Sequence, residues 1–226
     1  LVLCKKIKAL QNNLKQAKSS RFLQAAIFNC GPSYELAVYV SIADVKKARL
    51  ILPEVEAGIE HYKPLMNEQI FSVWCFNVSF MYFLAEEYRS SLKWLNHIIN
   101  ETFDRLRTDF TLSIIIFRLI LHYELQNDSI YPYLLRSSYR RISKLHFNPL
   151  IINPLLSGIK ILFDATDKKK IAKSLRQIRE DLAKLESNVD FRGLMNFFDV
   201  NQWLDSKIRN VSFAEIVQEE AKKLEK

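Results

Sequence analysis

Residues 76–99, FNVSFMYFLAEEYRSSLKWLNHII, decide the fold of this chain. The part before Glu86 is apolar on nearly every side of a helix, which is typical of a helix buried on several faces. The part after Glu87 places its large apolar residues on one helical face and its charged residues on the other, as an amphipathic outer helix does. Because the turn between the two parts is short, the stretch predicts two helices packed antiparallel.

The same pattern recurs along the chain at nearly constant shifts. A shift of 43 residues places Tyr39 on Tyr82, and a shift of 40 residues places Tyr82 on His122. A repeat of this length predicts a stack of helix pairs, so we expect a single all-α domain of about 10–12 helices and no sheet over residues 1–226. Its predicted parts are N-terminal helices (1–31), three repeated helix pairs (32–66, 67–107 and 108–147), a divergent pair (148–187) and a C-terminal cap (188–226).

The composition supports helices and excludes several other classes. Of the 226 residues, 49% are hydrophobic, which excludes a disordered chain, and 4 glycines are too few for a fold of many tight turns. The longest apolar stretches, residues 111–123 and 149–163, are shorter than a membrane span and contain Arg118 and Lys160. We therefore expect no membrane span.

The three cysteines indicate a reducing, cytoplasmic location. Cys4, Cys30 and Cys75 are odd in number, far apart and set in apolar runs, which is typical of reduced core cysteines and not of a disulfide framework. No secretory signal is evident in the first twenty residues. Because the chain begins with leucine, we expect a fragment or a processed chain that lacks upstream repeats.

The central stretch resembles a tetratricopeptide repeat (TPR). The matching positions are the Leu-Gly pair, the first-helix tyrosine, the Asp-Tyr turn, the small residue at the helix crossing and two later core positions. In this chain they are Val78, Ser79, Tyr82, Glu87, Tyr88, Ser91, Leu95 and Ile98. Glu86 replaces the usual turn glycine, Cys75 the tryptophan and Phe103 the closing proline, and the spacing exceeds the family's roughly 34 residues.

Residues 119–127, LILHYELQN, are also similar to a segment of divergent bacterial helical-repeat proteins without assigned activity. These resemblances imply a right-handed α-α superhelix of antiparallel helix pairs that serves as a binding scaffold. They name no ligand.

The resemblance implies a concave groove lined by the first helix of each pair. The positions that face it are Phe76, Phe80, Phe83, Ile116, Ile120 and Tyr123. A peptide or an amphipathic helix from a partner protein would find apolar anchors there. The alternative is that the chain's own helices, upstream repeats or a second subunit cover this stripe, so a homodimer stays open.

Positive charge is concentrated in one part of the chain. The net charge is +8 overall and +7 within residues 133–186. The helix predicted over residues 129–145 turns Leu134, Leu135, Tyr139 and Ile142 inward, and basic residues follow one face of it and of the next amphipathic helix. These basic residues are Arg136, Arg140, Arg141 and Lys144, then Lys169, Lys173 and Arg176.

Such basic faces could bind RNA or another polyanion over residues 136–179. The alternative is an ordinary solvated face. No zinc-finger, RNA-recognition or helix-turn-helix signature accompanies these residues, and the acidic stretch 68–132 interrupts the basic track. Both points argue against nucleic acid, so the sequence favours a protein or peptide partner.

The sequence contains no motif of catalysis, metal binding or cofactor binding. The histidines, His61, His97, His122 and His146, are far apart, and no HExxH motif, cysteine pair, nucleophile elbow or phosphate-binding loop is present. His122 lies in a buried helix, where we expect a hydrogen-bonded core histidine. We therefore expect a non-enzymatic protein without cofactors or bound metal.

Overall fold

The structure is a computed structural model that describes residues 20–165 and 167–224. Within these ranges it contains α-helices and two 3-10 turns and no strand. The helices are α1 Arg21–Cys30, α2 Pro32–Ser41, α3 Val45–Tyr62, α4 Glu68–Leu84, α5 Tyr88–Glu101, α6 Thr108–Glu124, α7 Tyr131–Lys144, α8 Pro149–Asp164, α9 Lys168–Ala183, α10 Val189–Met195, α11 Val200–Arg209 and α12 Phe213–Leu224. The 3-10 turns, Lys63–Leu65 and Phe103–Arg105, follow α3 and α5.

The chain divides into two compact units. The first contains the chain up to Arg105 together with the residues from Val217 onward, and the second is Leu106–Ile216. The all-α prediction is confirmed for the described residues, while the single domain and the superhelical stacking stay predictions. Of the predicted N-terminal helices, residues 1–19 lie outside the described residues. No helix in the described ranges is both long and apolar enough to cross a membrane.

The internal repeat is confirmed at the turns that join the helices of each pair. Ala43, Glu86 and Gln126, which the shifts of 43 and 40 residues superimpose, all have left-handed backbone, with φ of 50°, 60° and 55°. In each turn the following residue donates its N–H to the carbonyl of the repeated aromatic position: Asp44 to Tyr39, Glu87 to Tyr82 and Asn127 to His122, at 2.8–3.0 Å. This bond and a second one to the last turn of the helix form a Schellman cap.

Helices α4 and α5 meet closely at two small residues. The Ser79 hydroxyl donates to the carbonyl of Ser91 at 2.8 Å, and the Ser91 hydroxyl donates to the carbonyl of Ser79 at 2.7 Å. Both serines are fully buried. Because neither side chain is larger than a hydroxymethyl group, the two backbones can approach closely. Ser91 is therefore the small crossing residue that the sequence predicts.

The C-terminal helices of the second unit pack back onto α6. The ring of Phe198 lies 4.8 Å from that of Phe117, and the ring of Phe197 lies 4.6 Å from that of Phe110. The Ser113 hydroxyl donates to the carbonyl of Leu194 at 2.9 Å. Helix α6 is therefore enclosed by its own unit along much of its length.

Two predictions about individual side chains are wrong. Cys75 is buried as expected, but Cys30, the last residue of α1, is exposed and lies off the buried face formed by Ala25 and Phe28. Tyr139 does not face the core either: 38% of it is exposed. The buried face of α7 consists of Tyr131, Leu134, Leu135 and Ile142, and the helical period places Tyr139 beside this face and not on it. Cys4 lies outside the described residues.

Candidate functional site

The six residues of the predicted groove are mostly enclosed within their own units. Phe76 and Phe83 are 4% and 1% exposed in the first unit, and Ile116 and Ile120 are 1% and 0% exposed in the second. Phe80 and Tyr123 are half-buried. Their binding of a partner stays a prediction, but only these two side chains retain appreciable accessible surface.

The half-buried Tyr123 is held by a polar and aromatic cluster. Its ring meets those of Phe163 and Trp203 edge-on, at 5.2 and 5.6 Å. The neighbouring Glu124 accepts hydrogen bonds from the indole N–H of Trp203 at 2.6 Å and from Nζ of Lys207 at 2.7 Å. Burial raises the pKa of Tyr123, so its phenol stays neutral. These contacts lock the ring in its own unit and reduce what it can offer to a peptide.

The phenylalanine that remains accessible lies on α4. The Phe80 ring stacks on that of Phe76 with centroids 6.2 Å apart. Since Phe76 is buried, Phe80 forms the edge of a packed cluster rather than an isolated exposed ring. It is the best remaining anchor of the predicted groove.

The basic residues predicted on α7 are accessible. Arg136, Arg140 and Lys144 are exposed, and Arg141 is half-buried. Among the described residues, no hydrogen bond or ion pair involves the side chain of Arg136, Arg140 or Lys144. They recur every four residues, so they form a ladder with a rise of about 6 Å per step on the face opposite Leu134, Leu135 and Ile142.

The second predicted set, on α9, has the same character. Lys169, Lys173 and Arg176 are exposed, and no ion pair of the described residues involves them. Other cations near them are paired: Lys170 with Asp167, Lys184 with Asp181, and Arg179 with Glu186 and Asp205. Helices α7 and α9 both pack on α8.

The first unit contains cations whose charge is compensated. Arg49 pairs with Glu87, Lys63 with Glu101 and Arg105 with Glu68, each across two different elements. The carboxylate of Glu101 holds the pKa of Lys63 above its ordinary value. The negative charge of residues 68–132 is thus partly neutralised by neighbouring cations. No ion pair of the described residues neutralises the positive charge of the ladder on α7.

Aromatic side chains accompany the ladder on α7. Tyr133 is 65% exposed and Tyr139 38% exposed. Tyr139 borders a groove of about 500 Å³ between the end of α7 and the start of α8, which is also lined by Ser143, His146 and Asn153. Sequence reasoning missed Tyr133, although its spacing of seven residues from Arg140 already places it on the basic face.

His122 is the hydrogen-bonded core histidine that the sequence predicts. It is 5% exposed, and its Nδ1 lies 3.0 Å from the side-chain amide nitrogen of Asn127. Burial, and then the positive charge of Arg118, lower the pKa of His122 to about 4, so the ring is neutral at pH 7 and accepts this bond. Within the described ranges, no three His, Cys, Asp or Glu residues are grouped as metal ligands.

No family model, curated protein or solved structure matches this chain. The function of this chain must therefore be inferred from its own residues.

Proposed function

We propose that this chain is a non-enzymatic helical-repeat scaffold that binds single-stranded nucleic acid through the basic face of α7, with the cations of α9 as a second contact. The observation that carries the proposal is the ladder of Arg136, Arg140 and Lys144, exposed and without an ion-pair partner in the described residues. Binding of phosphates releases condensed counterions, and this release is what drives the association of such faces with polyanions.

The exposed tyrosines support a single strand rather than a duplex. Accessible aromatic rings provide stacking surfaces for unpaired bases, while neighbouring cations follow the phosphates. Tyr133 and Tyr139 lie on the same helix as the ladder. An anionic lipid surface would use the same cations but would have no need of stacking rings.

We also propose that the helix pairs stack as the right-handed TPR-like superhelix that the resemblance implies. The repeated Schellman caps and the small-residue crossing of α4 and α5 support this arrangement. Such a stack would present its outer helices, which include α7 and α9, on one surface.

A fluorescence anisotropy titration with a mixed-sequence single-stranded oligonucleotide at low salt tests the nucleic-acid proposal. We expect a Kd of roughly micromolar. The triple substitution Arg136→Gln, Arg140→Gln and Lys144→Gln should weaken binding by at least about tenfold. The control Lys46→Gln, Arg89→Gln and Lys93→Gln removes the same charge from exposed positions of the first unit and should leave the Kd unchanged.

Two outcomes contradict this proposal. Equal weakening by the two triple variants would mean that net charge, and not this face, controls binding. Binding to anionic vesicles without binding to the oligonucleotide would assign the basic face to a membrane surface.

The second candidate is a scaffold that binds a protein or peptide partner through the groove. The observation that favours it is that Phe80 remains half-buried beside Phe76. The substitution Phe80→Glu should abolish capture of that partner while circular dichroism keeps its helical signal. Phe83→Glu, at a buried position, should unfold the protein. Loss of helicity in both variants would mean that Phe80 is also core, and the groove would be filled.

A further inference from the structure

Arg118 occupies a position where the repeat has an apolar core residue. The shift of 40 residues that superimposes Tyr82 on His122 also superimposes Val78 on Arg118. Val78 is 0% exposed. The residues on both sides of Arg118 in α6, Phe117 and Leu119, are 0% and 1% exposed. A guanidinium has thus replaced an aliphatic side chain within an apolar helix.

The charge of Arg118 has no counter-ion in the described residues. Its Nε atom is buried and has no hydrogen-bond partner, and no ion pair of these residues involves its guanidinium. The side chain as a whole is half-buried, so part of it can be reached from solvent. Burial lowers the pKa of Arg118, but an arginine stays protonated at neutral pH.

The nearest polar groups leave this charge uncompensated. The two that interact with Arg118 electrostatically are the phenol of Tyr133 at the start of α7 and the imidazole of His122 one turn along α6. The imidazole is neutral at pH 7 because of its low pKa. Burial of a charge without a partner is costly, and an apolar replacement of similar size commonly stabilises a protein. We therefore expect an aliphatic residue at this position to be at least as favourable for folding as the guanidinium.

We propose that Arg118 is an anion-binding residue whose ligand is a phosphate group, with the exposed hydroxyl of Tyr133 as a second donor. The planar fork of a guanidinium matches two phosphate oxygens, and Arg118 would present its terminal nitrogens to them, because its Nε is enclosed by the protein. The net charge of +7 over residues 133–186 favours a doubly charged phosphate over a singly charged carboxylate. The site requires one phosphate group only, so it does not depend on the binding of a nucleic-acid strand.

Thermal unfolding in sodium phosphate and in sodium chloride of equal ionic strength tests this site. We expect phosphate to raise the Tm of the wild type by about 2–4 °C at a concentration well above the Kd. In Arg118→Met the rise should vanish, while the Tm in chloride stays equal to or above that of the wild type. Lys93→Gln, which removes an exposed charge from the first unit, should keep the rise.

A structural role for Arg118 predicts a different pattern. Arg118→Met would then melt lower in chloride and would keep the full response to phosphate, which would overturn the proposal. Sodium acetate that raises the Tm as much as phosphate would overturn the choice of phosphate. A wild type that melts at the same temperature in both salts would overturn the site itself.

The wild type provides a second readout that does not require a variant to fold. The charge of Arg118 contributes to the low pKa of His122. A phosphate bound at Arg118 should neutralise that charge and raise the pKa of His122, measured from its ring proton shifts in an NMR titration with and without phosphate. An unchanged pKa would contradict the proposal.

Discussion

Some polar side chains of this protein are buried among apolar residues, where a change in their charge costs free energy. His122 is the clearest case, because it lies in the core of its unit and its Nδ1 lies beside the amide of Asn127. In the unfolded chain its pKa returns to an ordinary value near 6.5, whereas in the folded protein it is about 4. Its protonation therefore favours the unfolded chain.

This difference makes the stability of the protein depend on pH. Between pH 6.5 and pH 4 the unfolded chain binds a proton that the folded protein does not, so the free energy of unfolding falls as the pH falls through this window. We expect a loss of about 2 kcal/mol from His122 between pH 7.5 and pH 5. Urea denaturation at the two pH values measures it.

The variant His122→Asn, which keeps a hydrogen-bond acceptor near the Nδ1 position, provides the control. The part of the pH dependence that comes from His122 should disappear in this variant. If both proteins lose the same free energy of unfolding between pH 7.5 and pH 5, another group is responsible.

At the scale of helices and turns, the repeated left-handed residues store strain. Glu86 has a φ of 60°, which is unfavourable for a residue with a Cβ atom, and its side chain is exposed. Glu86→Gly should raise the free energy of unfolding by about 0.5–1 kcal/mol, because glycine adopts this backbone without steric cost. Urea denaturation with an unchanged m-value measures the gain.

Asn210, which ends α11 with a φ of 54°, is the matched comparison. Asparagine tolerates the left-handed region better than glutamate does. Asn210→Gly should therefore stabilise the protein by less than Glu86→Gly. A destabilised Glu86→Gly variant would mean that the side chain of Glu86 has a function in the turn.

The helices and turns were largely predictable from sequence, whereas the accessible surface was not. The aromatic residue before a short polar turn recurs at 39, 82 and 122, and the same three positions supply the capping carbonyls. Burial of the groove residues could not be foreseen in the same way. Helices α4 and α6 are apolar on nearly all sides, so periodicity does not say which face stays open.

Two individual residues illustrate the same limit. Tyr139 was expected to face inward together with Leu134, Leu135 and Ile142, but it is not among the buried residues of α7. The sequence does mark Arg118 as unusual, because the repeat superimposes it on the apolar residue Val78. From the sequence alone, however, Arg118 was interpreted only as evidence against a membrane span. The missing information in both cases was which neighbouring side chains fill the available space.

At the scale of the whole molecule, positive charge is concentrated in the second unit, which contains the +7 stretch of residues 133–186. The first unit pairs several of its cations with carboxylates of neighbouring elements, and the second leaves the ladder of α7 unpaired. Surface ion pairs contribute little to stability, so this difference matters for binding more than for folding. If the proposed function holds, a polyanion would bind to this unpaired charge of the second unit.

The salt dependence of oligonucleotide binding tests this account most directly. For single strands, each phosphate neutralised by a cation contributes a slope of about −0.7 to the plot of log binding constant against log salt concentration. The Arg136→Gln, Arg140→Gln, Lys144→Gln variant should give a slope shallower than the wild type by about 2. The Lys46→Gln, Arg89→Gln, Lys93→Gln variant should keep the slope of the wild type. Identical slopes for all three proteins, or no binding to the oligonucleotide at low salt, would contradict the assignment of this face to nucleic acid.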